Sequence, residues 1–167
     1  MTNTLIHGII NALSGSVSKE VIVFLISMIP ILELRGGILA SSLLDVTMWK
    51  GILISAVGNI LPIPFILFFI KKIFTAMKKT KLLRPLVEKM ENKAMKKRDQ
   101  IEKYEFWGLV LFVGIPLPGT GAWTGALVAS LIDMDIKKAF KAILLGICLA
   151  AVIMTLISYG VLGHIIR

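Results

Sequence analysis

Four long apolar runs set the organisation of the chain. Val21 to Leu44 is interrupted only by Glu33 and Arg35, while Gly51 to Ile70, Phe106 to Ile132 and Ala142 to Gly163 contain no Asp, Glu, Lys or Arg. About 20 consecutive apolar residues cross a bilayer as a helix, so the pattern predicts an all-α integral membrane protein forming a single membrane domain over 1–167. Two of the runs carry helix breakers. Gly114-Ile-Pro-Leu-Pro-Gly-Thr-Gly121 divides Phe106 to Ile132 into two short arms, because prolines and glycines cannot continue a helix. In Val21 to Leu44, Pro30 and the Gly36-Gly37 pair flank the charged centre in the same way. Both runs therefore predict re-entrant helical hairpins, whose broken backbone must be buried in protein or line a watery cavity. The two breaks are expected to meet inside the molecule.

Charge changes the picture by fixing orientation. Apolar residues make up 56% of the chain, yet Lys and Arg outnumber Asp and Glu by 19 to 10. Twelve of those cations lie between Lys71 and Lys103, and Lys137, Lys138 and Lys141 form a second group. Basic loops stay in the cytoplasm, so the linker 71–105 and the turn 133–141 are both expected on that side of a prokaryotic cytoplasmic membrane. Only a second hairpin that enters and leaves by the same face satisfies this. The start of the chain has no basic region followed by a cleavage site, so 1–18 reads as a surface or packing helix and not a signal peptide.

An internal repeat follows. Ile29-Pro30 aligns with Ile115-Pro116 at an offset of 86, and Leu43-Leu-Asp45 with Leu131-Ile-Asp133 at 88; at 88, Lys50 also falls on Lys138 and Gly58 on Gly146. Each half reads as hairpin, acidic turn and spanning helix: repeat 1 over 19–74 and repeat 2 over 106–164, joined by a linker over 75–105. One crossing per half makes the repeats inverted, an arrangement whose interrupted segments point to a binding site. Asp45 and Asp133 are expected to be solvated caps at equivalent turns. Gly121, Gly125 and Ala129, like Gly37 and Ser41, recur at four-residue spacing and predict close helix packing.

The linker from Thr75 to Glu105 holds ten basic and five acidic residues, with Leu83, Val87, Met90, Ala94 and Ile101 at near-helical spacing and Pro85 in the first turn. It is expected to be an amphipathic helix on the cytoplasmic surface, held by anionic lipid. The isoelectric point of about 9.9 is explained by that surface, and no nucleic-acid recognition motif is present.

Two segments carry a family resemblance. Pro30-Ile-Leu-Glu-Leu-Arg-Gly-Gly-Ile38, followed behind a basic middle segment by Pro116-Leu-Pro-Gly-Thr-Gly-Ala-Trp-Thr-Gly125, resembles the bacterial and archaeal "putative small multi-drug export protein" family, over nearly the whole chain. That family is in turn similar to the DedA, or SNARE-associated (VTT), superfamily of membrane proteins. The resemblance implies paired re-entrant hairpins and a translocating role, as a lipid flippase for undecaprenyl phosphate or a related lipid. The pattern departs in one respect: DedA proteins carry arginines around the second Pro-Gly motif, and Gly114 to Gly125 has none.

The chemistry centres on charge in the membrane, which insertion scales put at about 2.5–3.5 kcal/mol for each group. Arg35 could bind an anionic headgroup in a bidentate fashion. Glu33 could carry a proton, since burial disfavours a carboxylate. Alternatively, the two form a structural ion pair at the hairpin tip. Gly119, Thr120 and Gly121 could direct N–H groups and a hydroxyl at a ligand, or form a plain tight turn. Trp123 lines a cavity or fills the core. Pro30, Gly36, Pro116 and Pro118 shape the breaks. Pro62 and Pro64 predict a kink in the first spanning helix, where Asn59 needs a polar partner. Cys148 is a small apolar residue of the last helix, and one cysteine makes no internal disulfide. His7 and His164 lie at the chain ends, so no metal, cofactor or enzymatic centre is expected. The reading is a small secondary transporter or lipid translocator for an amphipathic or polyprenyl-phosphate-like substrate, with possible proton coupling and a possible homodimer. The alternative is a non-transporting assembly or scaffold protein that binds lipid or a partner through its basic helix.

Overall fold

A computed structural model describes residues 2–13, 17–81, 83–96 and 105–161. Each element of regular structure among them is helical: α1 (Thr2–Leu13), α2 (Lys19–Met28), α3 (Glu33–Leu43), α4 (Met48–Ile60), α5 (Ile63–Lys78), α6 (Arg84–Met95), α7 (Glu105–Gly114), α8 (Ala122–Leu131) and α9 (Ile136–Thr155), followed by a π-helical turn, Leu156–Val161. Side chains start two of the helices. The Ser18 hydroxyl accepts the N–H of Val21 at the head of α2, and Asp135 accepts that of Lys138 at the head of α9.

Two stretches are long and apolar enough to cross a membrane: Met48–Lys78, 31 residues at a mean hydropathy of 2.2, and Ile136–Gly160, 25 residues at 2.5. Only about a third of each is buried inside the molecule. Trp49, Leu53, Val57, Phe65, Phe68, Leu145 and Val152 point outward, which a core helix of a soluble protein would not allow and lipid favours. The first stretch is interrupted at Leu61 and Pro62, between α4 and α5.

The two broken runs differ in detail. In the first, the Ile29 carbonyl accepts the N–H groups of both Leu32 and Glu33, so the break occupies only Ile29 to Leu32. Gly36 and Gly37, expected to share in the break, instead lie inside α3. They serve packing: a methyl group on Gly37 would collide with the Ser27 hydroxyl and come within 2.6 Å of that of Ser55. The second break is longer, Ile115 to Gly121, with Gly119 and Gly121 at φ +78° and +134°.

The linker also differs from its expected single helix. Thr75 to Lys78 continue α5, a turn follows, and α6 begins at Arg84. Val87 of α6 is fully buried in the protein, while Met90 is exposed. The side chain of Ala94, the segment 97–104 with Ile101, and 162–167 with His164 lie outside the described residues. Cys148, on the expected apolar helix, is exposed on its surface.

α3 is common to both halves of the core. Ala40, with Leu32 just before the helix, joins Ile6, Ile22, Val23 and Ile26 in a cluster with α1 and α2; Leu34 and Ile38 enter a larger one with Leu109, Val113, Ala126, Ala129, Ile143 and Ile147. Its sequence neighbours thus face opposite ways, as helical geometry requires.

The turns after α3 and α8 repeat bond for bond. Leu44 N–H donates to Ala40 O and Val46 N–H to Ser41 O; 88 residues later Ile132 N–H donates to Val128 O and Met134 N–H to Ala129 O. Asp45 and Asp133 take the left-handed conformation there, at φ +53° and +60°. They close α3 and α8 as the left-handed residues of C-terminal caps, a conformation that a short polar side chain tolerates, and both are exposed; the N-terminal cap of α9 is Asp135. Asp133 also makes an ion pair with Lys71 of α5. The two turns lie at opposite ends of α9. The second leads into its first residue, whereas the first is tied to the segment beyond its last: Ser42 Oγ donates to Ser158 O at 3.0 Å, and Tyr159 OH donates to Val46 O at 3.1 Å. A helix of 20 residues separates them by roughly 30 Å, a bilayer's hydrocarbon thickness.

Close packing of α7 on α9 depends on Gly146, where a methyl group would stand 2.6 Å from Val113 Cβ and 2.9 Å from Val110 O. Gly146→Val is expected to destabilise the protein by about 1–3 kcal/mol, read as a lower melting temperature in detergent. Gly8→Ala, inside α1 where nothing lies within 4 Å, is expected to raise it slightly, because glycine in a helix is about 0.5–1 kcal/mol less favourable than alanine.

Candidate functional site

The first turn of α3 reaches across to the second break. Glu33 is 5% exposed and its carboxylate accepts two backbone hydrogen bonds, from Ala122 N–H at 3.1 Å and Trp123 N–H at 3.0 Å, one on each oxygen. These are the first N–H groups of α8, which have no partner within the helix and carry the positive end of its dipole. Glu33 itself sits at φ +51°, an unfavourable conformation for a residue with a side chain. Gly121, just before α8, has φ +134°, and a methyl group there would collide with the Glu33 carboxylate. Only glycine fits that position.

Arg35 serves the other end of the same break. Its guanidinium donates to Leu117 O at 3.0 Å, Ile115 O at 3.1 Å and Val113 O at 3.4 Å, and to Thr120 Oγ1 at 3.0 Å. Val113 closes α7, so the cation lies at the negative end of that helix. Thr120 Oγ1 in turn lies 2.8 Å from Leu117 O and 3.1 Å from Ile115 O as a donor. The pair thus forms a clasp, with an anion on the opening of α8 and a cation on the close of α7. Charge-assisted bonds of this kind contribute about 1.5–3 kcal/mol each.

The structure brings Glu33, Arg35, Thr120 and Gly121 together, with the Trp123 backbone. Gly119 is exposed, and a methyl group added to it would meet nothing within 4 Å; Pro30 and Pro118 are exposed at the tips. Pro116 is half-buried within the loop that Arg35 holds. Gly36 packs on Leu32 and Ile26 and does not touch the clasp. The Trp123 ring packs against the larger core cluster, and its buried Nε1 has no hydrogen-bond partner among the described residues. Asn59 is 2% exposed, and its Oδ1 likewise has none among them. No group of three or more His, Cys, Asp or Glu that could hold a metal occurs among the described residues.

The groups that sequence reasoning missed are mostly backbone atoms: two N–H groups and three carbonyls, which no residue type announces. Ser55 was also missed, although a Ser and an Asn four apart in an uncharged run mark one polar helix face.

Lysine cannot span the four acceptors that the planar arginine fork meets. Arg35→Lys is therefore expected to lower stability by about 1–3 kcal/mol, through carbonyls left unpaired, while Lys50→Arg, at an exposed position, changes nothing; denaturant unfolding in detergent measures both.

Comparison with known families gives one match, to the family described as "Putative small multi-drug export protein", over residues 33–153. Neither curated proteins nor solved structures match the chain. The matched segment begins at Glu33, just after the first break, and runs through the second break and nearly all of α9, well over half of the chain. The chain is thus a helical membrane protein that belongs to the small multi-drug export protein family.

Proposed function

We propose that the protein is a small secondary transporter whose two broken runs are re-entrant hairpins in an inverted repeat and whose working centre is the clasp between them. The observation that carries this reading is the engagement of both charges of the first break with the helix ends of the second. A membrane charge faces a partner, a cavity or a substrate, and this pair faces the longer break, whose backbone lipid could not satisfy. The inverted arrangement is supported by the matching turns at Asp45 and Asp133, which lie at opposite ends of α9. The Lys71–Asp133 ion pair supports a common cytoplasmic face for both basic groups.

The proposed substrate is amphipathic with an anionic headgroup, such as a polyprenyl phosphate. Its headgroup takes the place of the Glu33 carboxylate on the N–H groups of Ala122 and Trp123, beside the Arg35 guanidinium. The second break has no arginine of its own, and Arg35 supplies one from the first. Ile31, Ile115 and Leu117 are exposed around the clasp and offer an apolar surface to the tail. For the exchange, Glu33 must give up its charge. A proton on its carboxyl weakens both accepted bonds and frees the opening of α8, which couples substrate to proton. The family name, which speaks of export, agrees with a transporting role.

In liposomes, wild-type protein is expected to move a labelled short-chain polyprenyl phosphate between leaflets in response to a proton gradient. Glu33→Gln, which keeps the shape but holds no exchangeable carboxyl proton, is expected to lose the gradient response while remaining monodisperse. Gradient-driven movement at the wild-type rate in Glu33→Gln would remove the coupling role, and no movement by folded wild type would remove this substrate class.

A further inference from the structure

Five buried polar side-chain atoms have no hydrogen-bond partner among the described residues, Trp123 Nε1 and Thr155 Oγ1 among them, and two of the five sit one turn apart on α4. Ser55 Oγ and Asn59 Oδ1 of α4, and Ser158 Oγ beyond α9, are buried and have no hydrogen-bond partner among the described residues. A buried polar atom left unpaired costs about 1–3 kcal/mol, and water or an ion commonly accounts for it.

Their placement follows from the antiparallel register of α3 and α4. A methyl group on Gly51 would meet the Ser41 hydroxyl, and one on Gly37 would meet those of Ser55 and Ser27. Ser41 therefore pairs with Gly51 and Gly37 with Ser55. Moving one further turn along both helices brings Glu33 level with Asn59. At the other end, Tyr159 OH lies 2.7 Å from Ser41 Oγ and 3.1 Å from Val46 O. Tyr159 is half-buried, and Asp45, one residue from Val46, is exposed. Tyr159, Ser41, Ser55 and Asn59 thus stand in file from the Asp45 end of the molecule to the clasp. Glycines flank two of its steps and bring the backbone of one helix close to the hydroxyls of the other. Successive members from Ser41 onward are one helical turn, roughly 6 Å, apart, a gap that a single bridging water spans.

We propose that this file conducts protons between the Asp45 end and Glu33, with water between its side chains. A hydronium at Tyr159 gives up one proton and becomes water. The hydroxyls of Tyr159 and Ser41, the next water and Ser55 each accept one proton and release another. A last water, held by Asn59 Oδ1, delivers the proton to a Glu33 carboxylate oxygen, which becomes the neutral acid. No bond to carbon changes. The other charged group at the destination is Arg35, which is engaged with the second break. The path opens at the end of α9 opposite Lys71 and Lys137, away from the basic face. It rests on the proposed role of Glu33 as the proton carrier.

Infrared spectroscopy of the protein in nanodiscs tests this without any substrate. At a pH of about 4 the protonated Glu33 carbonyl band is identified by its absence in Glu33→Gln, and its shift on transfer to heavy water gives the rate of exchange. Wild type is expected to exchange fastest. Ser55→Ala and Asn59→Leu, each removing one hydrogen-bonded step, are expected to slow it about tenfold, while Ser130→Ala, on the other broken pair, leaves it unchanged. Two separate variants are used so that poor folding of one does not decide the outcome. Exchange at the wild-type rate in both would overturn the file, as would a wild type with no Glu33 band. A sodium-specific rise in melting temperature that Ser55→Ala abolishes would also overturn it, by making the cluster a cation site. Slow exchange in the variants together with no substrate movement by wild type would uphold the file and remove the transport reading alone.

Discussion

The rest of the structure depends on the contact between one short turn and one broken helix. A helix interrupted at membrane depth leaves N–H groups at one new end and carbonyls at the other, and lipid satisfies neither. Here a single Glu-Leu-Arg turn does both, since Glu33 accepts the leading N–H groups of α8 while Arg35 donates to Val113 O in the last turn of α7 and to Ile115 O just beyond it. The charges match the helix ends in sign as well as in hydrogen bonding. Two groups that would each be costly in lipid become the means by which the break is tolerated. The same logic explains the unusual backbone around them, with Glu33 and Gly121 both left-handed so that carboxylate and amides come within bonding distance.

Around the clasp, small residues set the distances. Gly37 lets α3 meet Ser27 and Ser55, and Gly146 lets α9 meet α7, at separations that admit no added methyl group. Because hydrophobic driving force is absent between helices in lipid, this closeness and the bonds it permits are what hold the bundle. It also leaves hydroxyls and an amide facing one another in the first half, whereas the second half offers the larger apolar cluster. Matching turns thus support unlike contacts: α3 meets the hydroxyls of α4 on one side, whereas α8 packs in the larger apolar cluster, which Leu34 and Ile38 of α3 also enter. In the proposed mechanism that asymmetry divides the labour, with protons arriving through the first half and the headgroup held at the opening of the second.

Much of this was legible in the residues. Runs without charge predicted helices in a membrane, and the Pro-Gly segment from Gly114 to Gly121 predicted the break that the structure contains. The spacing of 88 between the two Leu-X-Asp turns matched the recurrence of their hydrogen bonds. Each of these depends on near neighbours along the chain: helix propensity, turn conformation and the length of an apolar run are local quantities. Where local reasoning went astray, packing had the deciding vote. Gly36 and Gly37 look like breakers but stay helical, because the missing Cβ atoms permit close contact with α2 and α4. Asp133 caps α8 as expected, but it also pairs with a lysine 62 residues away, which nothing local announces.

By itself, then, the sequence determined the membrane environment, the helical class, the position of the second break and the identity of the two charges that matter. Tertiary structure decided what those charges do. Glu33 and Arg35 are two residues apart, and nothing local says that their partners lie 78 to 90 residues onward. Those partners are chiefly backbone atoms, common to every residue type, which acquire meaning only when a helix ends in front of them. The file from Tyr159 to Asn59 is hidden for the same reason, since its members come from three separate segments and are aligned only by the register in which α3 and α4 pack.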